Sequence, residues 1–310
     1  MIDYTFQEGV PEGFTFDFEV GIFHDPRHLL LQSPSGWYTF SLTDYPRRLV
    51  VGMIHVHIQD DKAISPYRSP YGSFLFSETI SEKQVIDFVK KVEAKLLDKQ
   101  VCSFELKNRP GAYSKKTDLL EEVLHKLNYQ HLEEISSVIS VDQRNYVELL
   151  HRSKRARLKK CHDLGLHFLQ LPSQDFESVY SFLKRCREEK GYSLSMSLSD
   201  LKHVLDIFPE ALNLHVVKHE ERFVSACISI RVERGMLYTF YYDHTQAFDE
   251  VSPVVMLMEG MFQFCQKQKI GLLDLGTSHV DGKLSQSLLD FKRSLGALPS
   301  AKRTFVKNLS

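Results

Sequence analysis

The most informative segment of this chain is LLDFKRSLG, residues 288–296, in which a Phe-Lys pair stands three residues ahead of Leu-Gly. Hydrophobic periodicity upstream of it predicts strands at 211–218, 223–232, 236–242 and 272–275. Before the last strand, a helix is predicted from Ser252 to about residue 269, with Ser252 as N-cap and Pro253 at the first helical position. This part of the chain is therefore predicted to form a mixed sheet flanked by helices.

The first half of the chain repeats the same order of elements. Strands are predicted at 37–42, 48–59, 63–67 and 101–106. A helix at about 82–98 precedes the last of them, and it is capped by Ser81 with Gln84 in the capping-box position. The sequence therefore predicts a duplicated architecture.

Between the halves, the periodicity predicts a helix at 119–127 and a strand at 134–141. A basic helix follows at 145–164 and ends at Gly165. Further on, a strand is predicted at 166–171, and helices at 176–189 and 198–207. The domain border falls near residues 142–146, which gives an N-terminal domain at 1–143 and a C-terminal domain at 144–310.

The duplicated order and the Phe-Lys motif together resemble the Fem-type (FemABX-like) peptidoglycan-bridge aminoacyltransferases. Members of that family consist of two tandem GNAT-like domains, the acyl-CoA N-acyltransferase fold. The resemblance implies an α/β protein with α+β mixed sheets, in which an acyl donor lies between splayed strands of the C-terminal domain. The chain lacks the long charged helical hairpin that some relatives insert there, so the nature of the donor stays open.

The composition is that of an ordinary globular protein. Of its 310 residues, 43% are hydrophobic and 25% are charged, and two domains of ordinary size fit this length. A net charge of -1 provides no global attraction to nucleic acid or anionic membrane. No apolar run approaches the roughly 20 residues that cross a bilayer. The five cysteines are dispersed, and no signal peptide is recognisable, so a cytoplasmic location is expected.

Lys292 is the principal catalytic candidate. In the Fem-type family, the lysine of the matching motif lies in the acyl-transfer channel and stabilises the transition state, and the resemblance implies this role for Lys292. Phe291 would then shape the wall of the channel. The alternative is a surface lysine whose stem is buried and whose ammonium reaches solvent.

Asp274 and His279 are the other catalytic candidates. Asp274 interrupts a short apolar strand, where a buried carboxylate needs a partner or a function. A structural hydrogen bond to the loop 277–279 is the alternative for Asp274. His279 follows the same strand and is a candidate base.

Several residues are candidates for binding the acceptor, which would be a small molecule, a peptide or an amino sugar. Tyr241 and Tyr242 end a predicted strand at the mouth of the expected cleft, and aromatic packing within the sheet is the alternative. Arg68 and Tyr71 lie in a Pro- and Gly-containing loop that resembles the loop lining the Fem-type acceptor groove. Its alternative is a plain turn. The resemblance also places Arg187 and Tyr192 near the acceptor.

The donor would meet the start of the helix at Ser252 and Val254, where backbone N–H groups can bind phosphate. GNAT enzymes that use coenzyme A usually have a glycine-rich loop at this place, and this chain has none. The basic helix contributes further candidates for contacts to tRNA phosphates, with a solvated helix face as the alternative. They are Arg152, Arg155, Arg157 and Lys159.

No tightly bound cofactor and no metal site are expected. The paired histidines, His24 with His28 and His55 with His57, lack further ligands at suitable spacing. The leading hypothesis is an N-acyltransferase that moves an acyl or aminoacyl group from acyl-CoA or aminoacyl-tRNA to an amine. A non-catalytic GNAT-like module that binds a nucleotide-linked or peptide ligand between its domains is the alternative. An RNA-contacting protein is a third.

Overall fold

The computed structural model describes residues 4–309, which divide into two compact units. Unit 1 extends to Glu134 and also includes the chain from Ser300 onward, whereas unit 2 comprises Ile135–Pro299. The sequence predicts the border after residue 143 and assigns the C-terminus to the second domain. The structure differs because the last strand of the chain pairs with a strand of unit 1.

Unit 1 is a mixed sheet with helices. Its strands are β1 (Thr5–Glu8), β2 (Thr15–Phe16), β3 (Trp37–Asp44), β4 (Leu49–Gln59), β5 (Lys62–Ser65), β6 (Leu75–Phe76) and β7 (Ser103–Lys107). Its helices are α1 (Pro26–Gln32), α2 (Glu82–Asp98) and α3 (Lys115–Lys126). The strand β8 (Gln130–Ser140) then leads into unit 2.

Unit 2 has the same kind of architecture. Its helices are α4 (Tyr146–Leu149), α5 (Arg152–Asp163), α6 (Phe176–Glu189), α7 (Leu198–Ile207), α8 (Val254–Lys267) and α9 (Gln286–Ser294). Its strands are β9 (His167–Leu171), β10 (Leu212–His219), β11 (Arg222–Glu233), β12 (Met236–His244), β13 (Leu272–Thr277), β14 (His279–Val280) and β15 (Lys283–Leu284). The strand β16 (Leu298–Asn308) follows and returns the chain to unit 1.

In unit 1 the strand order is β1-β3-β4-β5-β7-β16. β5 and β7 are parallel, and β16 joins β7 antiparallel through the pairs from Thr304 with Lys107 to Asn308 with Ser103. The core lies under α2 and α3, where Phe88, Val92 and Leu124 are fully buried against Phe40 and Phe104 of the sheet. The predicted capping box at Ser81 and Gln84 is present at the start of α2.

In unit 2 the strand order is β8-β13-β12-β11-β10-β9, and only the β12–β13 pair is parallel. The helix α8 covers one face of this sheet and supplies most of its core, including Val255, Met258 and Phe262. The helix α6 packs on the other face, against β10, β11 and β12. Because α8 crosses from the end of β12 to the start of β13, its N-terminus lies towards the C-terminal ends of these strands.

The predicted basic helix at 145–164 is two helices, because the chain is extended at Leu150 and His151. The Leu150 side chain is buried in the core of unit 2, and the His151 N–H donates to the Ser294 carbonyl. His151 then caps α5 by accepting from the Ser153 N–H. Since no glycine or proline marks the break, tertiary contacts decide it.

The predicted N-cap at Ser252 is wrong. The N-cap of α8 is Pro253, without a side-chain capping bond, and Ser252 has a left-handed φ of 57°. Its own N–H donates to the Phe248 carbonyl. Ser252 therefore belongs to the turn that enters the helix.

Replacing Gly260 of α8 by alanine is expected to destabilise unit 2. An added Cβ would lie 2.1 Å from Cγ of Phe168, and overpacking of this kind costs about 1–3 kcal/mol. That cost exceeds the roughly 1 kcal/mol that alanine gains over glycine in a helix. Urea unfolding measures the difference. Gly271→Ala is the control because its Cβ would meet nothing within 4 Å, and equal unfolding midpoints for the two variants would contradict the prediction.

Among residues 4–309, no helix combines the length and the hydropathy that crossing a lipid bilayer requires.

Candidate functional site

The parallel strands β12 and β13 separate from each other in the middle of the sheet of unit 2. They pair only from Met236 with Leu272 to Tyr238 with Asp274, although β12 continues to His244 and β13 to Thr277. At the same level, β12 has a bulge against β11, and β13 shifts register against β8. Beyond Tyr238, the edge of β12 is no longer paired with β13, so its backbone groups on that side are available to a ligand in the opening.

Unit 1 has no comparable opening in the corresponding place. There β5 pairs with β7 along its whole length, from Lys62 with Ser103 to Ser65 with Leu106. The loop after β5 then folds back closely, since a Cβ on Gly72 would lie 2.7 Å from the Pro66 nitrogen. Of these two corresponding parallel pairs, β5–β7 and β12–β13, the pair in unit 2 separates before its strands end.

Lys292 of α9 is buried beside this opening. Its side chain is 2% exposed, and its Nζ donates to the carbonyls of Gly276 at 2.9 Å and Thr277 at 2.6 Å. Burial lowers the pKa of the ammonium to about 8, and the nearby Asp274 carboxylate opposes that shift. The alternative of a solvent-reaching lysine is therefore wrong, because the ammonium is bound to the end of β13.

Asp274 is also buried and hydrogen-bonded. Its Oδ1 accepts from the Gly276 N–H at 2.6 Å and from the Ser136 hydroxyl at 3.0 Å. These two bonds are structural, as in the alternative proposed for this residue, and they join Asp274 to Gly276 of its own strand and to β8. Gly276 itself has a left-handed φ of 73°, which only glycine adopts without strain.

His279 is held at the end of β13 by the backbone. The Ile135 N–H approaches its Nδ1 at 3.3 Å, and a backbone N–H can only donate. Nδ1 is thus the acceptor, and the neutral ring carries its proton on Nε2. The neutral imidazole then has no free nitrogen lone pair with which to accept a proton. This argues against His279 as the general base.

The two tyrosines at the end of β12 point to opposite faces of the sheet. Tyr242 packs against the core beneath α8, and burial raises its pKa. The Tyr241 hydroxyl reaches the loop between α6 and α7, where it lies 2.6 Å from Ser195 Oγ and accepts from the Met196 N–H at 2.9 Å. Of these two tyrosines, Tyr241 therefore faces the loop that carries Tyr192.

Arg187 lies in the last turn of α6, and Tyr192 lies in the loop that follows. The Arg187 guanidinium pairs with the buried Asp243 carboxylate, at 3.1 Å, and also donates to the Tyr242 carbonyl. Lys190 pairs with the same carboxylate. Tyr192 is 54% exposed and is open to a ligand.

The four candidate residues of the basic helix α5 differ in their partners and in their exposure. Arg155 donates to the carbonyls of Leu150 and Glu148, so it caps the end of α4. Arg152 and Lys159 are exposed, and Arg157 is half-buried. Only these last three remain suited to an external anion.

Lys154 is a site residue that the sequence analysis missed. Its Nζ lies 3.5 Å from Ser252 Oγ and 4.5 Å from the centre of the Phe291 ring. Burial is the main reason that its pKa is lowered. It brings a cation to the start of α8, next to Val254. Its signal in the sequence is its spacing from Leu158 and Cys161, which places it on the buried face of the helix.

Arg68 and Tyr71 belong to unit 1. Arg68 is exposed, and its guanidinium lies over the Tyr67 ring at 5.0 Å. Tyr71 is 3% exposed and packs edge to face with Phe23 and Tyr113. Tyr71 is thus part of an aromatic core, whereas Arg68 is accessible.

Within the described range, no three histidine, cysteine or acidic side chains come together in a way that could hold a metal ion.

Comparison with known families and structures identifies the fold. Residues 150–293 match the family described as acetyltransferase (GNAT) domain. A search of curated proteins found no sequence that matches the chain. The opening and Lys292 therefore lie within the residues that match this family.

Solved structures extend the likeness to most of the chain. FemX aligns with a TM-score of 0.68 at 11% identity, over 90% of each chain. A conserved protein of unknown function from Bacteroides thetaiotaomicron aligns with a TM-score of 0.58 at 8% identity, over 91% of this chain and 90% of that one. L-PGS from Bacillus licheniformis aligns with a TM-score of 0.52 at 12% identity, over 82% and 80%. At these identities the likeness shows a shared fold, and the predicted tandem GNAT-like fold is confirmed.

Proposed function

We propose that this chain is an N-acyltransferase whose donor lies in the opening between β12 and β13 of unit 2. The observation that carries the proposal is the parting of these strands beyond Tyr238 and Asp274, with the buried ammonium of Lys292 beside it. The match of residues 150–293 to an acetyltransferase domain supports this choice, since fold alone does not determine activity.

Acyl transfer requires one bond to form, one bond to break and two proton transfers. The acceptor nitrogen attacks the donor carbonyl carbon, and the ester or thioester bond breaks as the tetrahedral intermediate collapses. The leaving oxygen or sulfur takes up a proton while the nitrogen loses one. Unpaired backbone N–H groups of a splayed strand can bind the developing oxyanion, and a cleft aligns the two reactants. With His279 Nδ1 already occupied, the nitrogen would lose its proton to water.

An aminoacyl ester suits this site better than acyl-CoA. The turn before α8 carries Asp249 and Glu250 and has no glycine, so it opposes a pyrophosphate by charge. The cations of α5, Lys154 beside Ser252 and its exposed neighbours, suit the phosphates of a tRNA acceptor end. The overall likeness to FemX agrees with a Fem-type reaction.

A non-catalytic binding module is the second candidate. The observation that favours it is the engagement of Asp274 and His279 in hydrogen bonds to the backbone, which leaves no evident base. Such a module would bind the donor or acceptor without transferring the acyl group.

The test begins with native mass spectrometry of small molecules that co-purify with the protein. The purified chain is then incubated with radiolabelled aminoacyl-tRNA, or in parallel with acetyl-CoA, and with an amine-containing extract of the source cells. Label appearing in an amide product supports the enzyme, and the donor that works identifies the class. Binding without transfer from either donor would favour the binding module.

tRNA binding is expected to weaken steeply with salt if α5 contacts phosphates. Replacing Arg152, Arg157 and Lys159 with glutamine should lower the slope of log affinity against log salt by about 2 to 3, because each lost phosphate contact removes about 0.7–0.9. Filter binding measures the slope. The exposed Lys267 at the end of α8 serves as the control substitution, and an unchanged slope in the triple variant would leave α5 as a solvated helix face.

A further inference from the structure

We infer that Lys292 is a positioning residue, which together with Asp274 holds the backbone of β13 away from β12 and so keeps the donor opening formed. The inference rests on the proposed function for its catalytic consequence. Its structural part stands on the geometry around Gly276.

The backbone of Gly276 is bound on both sides by side chains. Its N–H donates to Asp274 Oδ1 at 2.6 Å, and its carbonyl accepts from Lys292 Nζ at 2.9 Å. The next carbonyl, of Thr277, accepts from the same ammonium at 2.6 Å. Groups that would otherwise continue the ladder with a neighbouring strand are thus bound to a carboxylate and an ammonium.

The bonds of Asp274 and Lys292 to the backbone of Gly276 and Thr277, called the clamp below, lie at the point where β12 and β13 separate. Asp274 is the last residue of β13 that pairs with β12, opposite Tyr238. The Tyr238 ring lies beside Gly276, since a Cβ there would be 3.5 Å from it. The left-handed φ of Gly276 turns the chain at this position.

Burial makes the clamp depend on both charged groups. Asp274 is 3% and Lys292 is 2% exposed, so solvent cannot replace either partner. Without the ammonium, the carbonyls of the buried Gly276 and the half-buried Thr277 would lose this donor and would be free to pair with backbone N–H groups of β12. Pairing with β12 would close the opening.

The ammonium is also largely committed. Two of its three N–H groups are used by the Gly276 and Thr277 carbonyls. Its main effect on acyl transfer is therefore exerted through the strand that it holds. This positioning role differs from direct contact between the ammonium and the reacting carbonyl. Only the positioning role predicts that the Gly276 amide changes when the ammonium is removed.

The test follows the Gly276 amide in protein labelled with 15N-glycine, with its cross-peak assigned by its loss in Gly276→Ala. In Lys292→Met, we expect the cross-peak to shift and its hydrogen exchange to accelerate about 10- to 100-fold, as expected when charge-assisted hydrogen bonds are lost. Asp274→Asn should act in the same direction. Lys267→Met is the control, because Lys267 is an exposed lysine in the last turn of α8, and it should leave the cross-peak unchanged.

Activity then separates the possible outcomes. With the donor identified above, Lys292→Met should lower kcat, and Lys292→Arg, which keeps a cationic donor, should restore part of both kcat and Gly276 protection. An unchanged Gly276 amide in a Lys292→Met protein with low kcat would overturn the inference, because the ammonium would then act directly on the donor. If the amide responds but the wild-type protein transfers no acyl group, the proposed function fails and the clamp stands.

Discussion

Replacing Lys292 by methionine is expected to lower the turnover number about 100-fold, while the protein remains folded. The reason is that displacing a reacting group by about 1 Å can cost roughly this factor, and Lys292 holds the strand that borders the donor opening. The measurement is kcat for transfer from whichever donor supports amide formation in the transfer assay described under the proposed function. Circular dichroism at the assay temperature checks that the variant is folded.

The matched control is Lys267→Met, which removes an exposed lysine from the equivalent last turn of α8. It should keep wild-type turnover. A Lys292→Met protein that transfers acyl groups at the wild-type rate would contradict any functional role for this lysine.

The same residue predicts a pH dependence. Burial lowers the pKa of Lys292 to about 8, so its charge is present below that pH and is lost as the pH rises through it. Wild-type kcat should therefore fall above about pH 8. That descending limb should be missing from whatever activity Lys292→Met retains, and its persistence there would assign the limb to another group.

Unit 1 is expected to lose much of its stability in mild acid. Burial lowers the pKa of His28 and of His55 to about 4, below the value of about 6.5 in an unfolded chain. The unfolded state therefore binds protons that the folded state does not, and stability falls as the pH drops from about 6.5 towards 4. At pH 4.5 the loss is about 2–3 kcal/mol for each of the two histidines.

Two neighbouring histidines add to this effect. His24 and His57 are also buried, at 2% and 6% exposure, and burial lowers the pKa of both. Neither ring nitrogen of His24 has a hydrogen-bond partner at good geometry. The backbones of Gly72 and Ser73 lie close enough to oppose part of the lowering of its pKa. Protonating such a ring would place an uncompensated charge in the interior.

The measurement uses the single tryptophan of the chain. Trp37 lies in β3, and its ring contacts His57 at 5.0 Å, so its fluorescence follows unfolding of unit 1. Urea midpoints should be much lower at pH 4.5 than at pH 7. The double variant His28→Gln/His55→Gln should lose much of this dependence, and equal midpoints at both pH values in the wild type would refute the assignment.

Elements with strong local signals were predicted well from the sequence. The helices α6 and α7 have the predicted bounds, and the capping box at Ser81 starts α2 as expected. In these segments, periodicity, caps and burial agree. Where local and tertiary preferences conflict, the prediction was wrong, as at the break between α4 and α5, where burial of Leu150 overrides helix propensity.

The candidate site shows the same division. The Phe-Lys motif led to Lys292, but nothing in the sequence indicates that its ammonium binds two carbonyls of β13. Lys154 was missed because its position beside Ser252 depends on how α5 packs against α8. Tyr241 and Tyr242 were both acceptor candidates, but successive residues of a strand point to opposite faces of the sheet, and only the Tyr241 hydroxyl reaches Ser195 and Met196.

The sequence by itself determined the order of elements, the duplicated architecture and the Phe-Lys motif, because these depend on periodicity and capping between residues close in the chain. Tertiary structure alone decided that β16 pairs with β7 and belongs to unit 1. It also decided that β12 and β13 part after Tyr238 and that Lys292 lies buried at that point. Strand pairing and burial join residues far apart in the chain, and their free energy arises only when the sheet and its helices pack together.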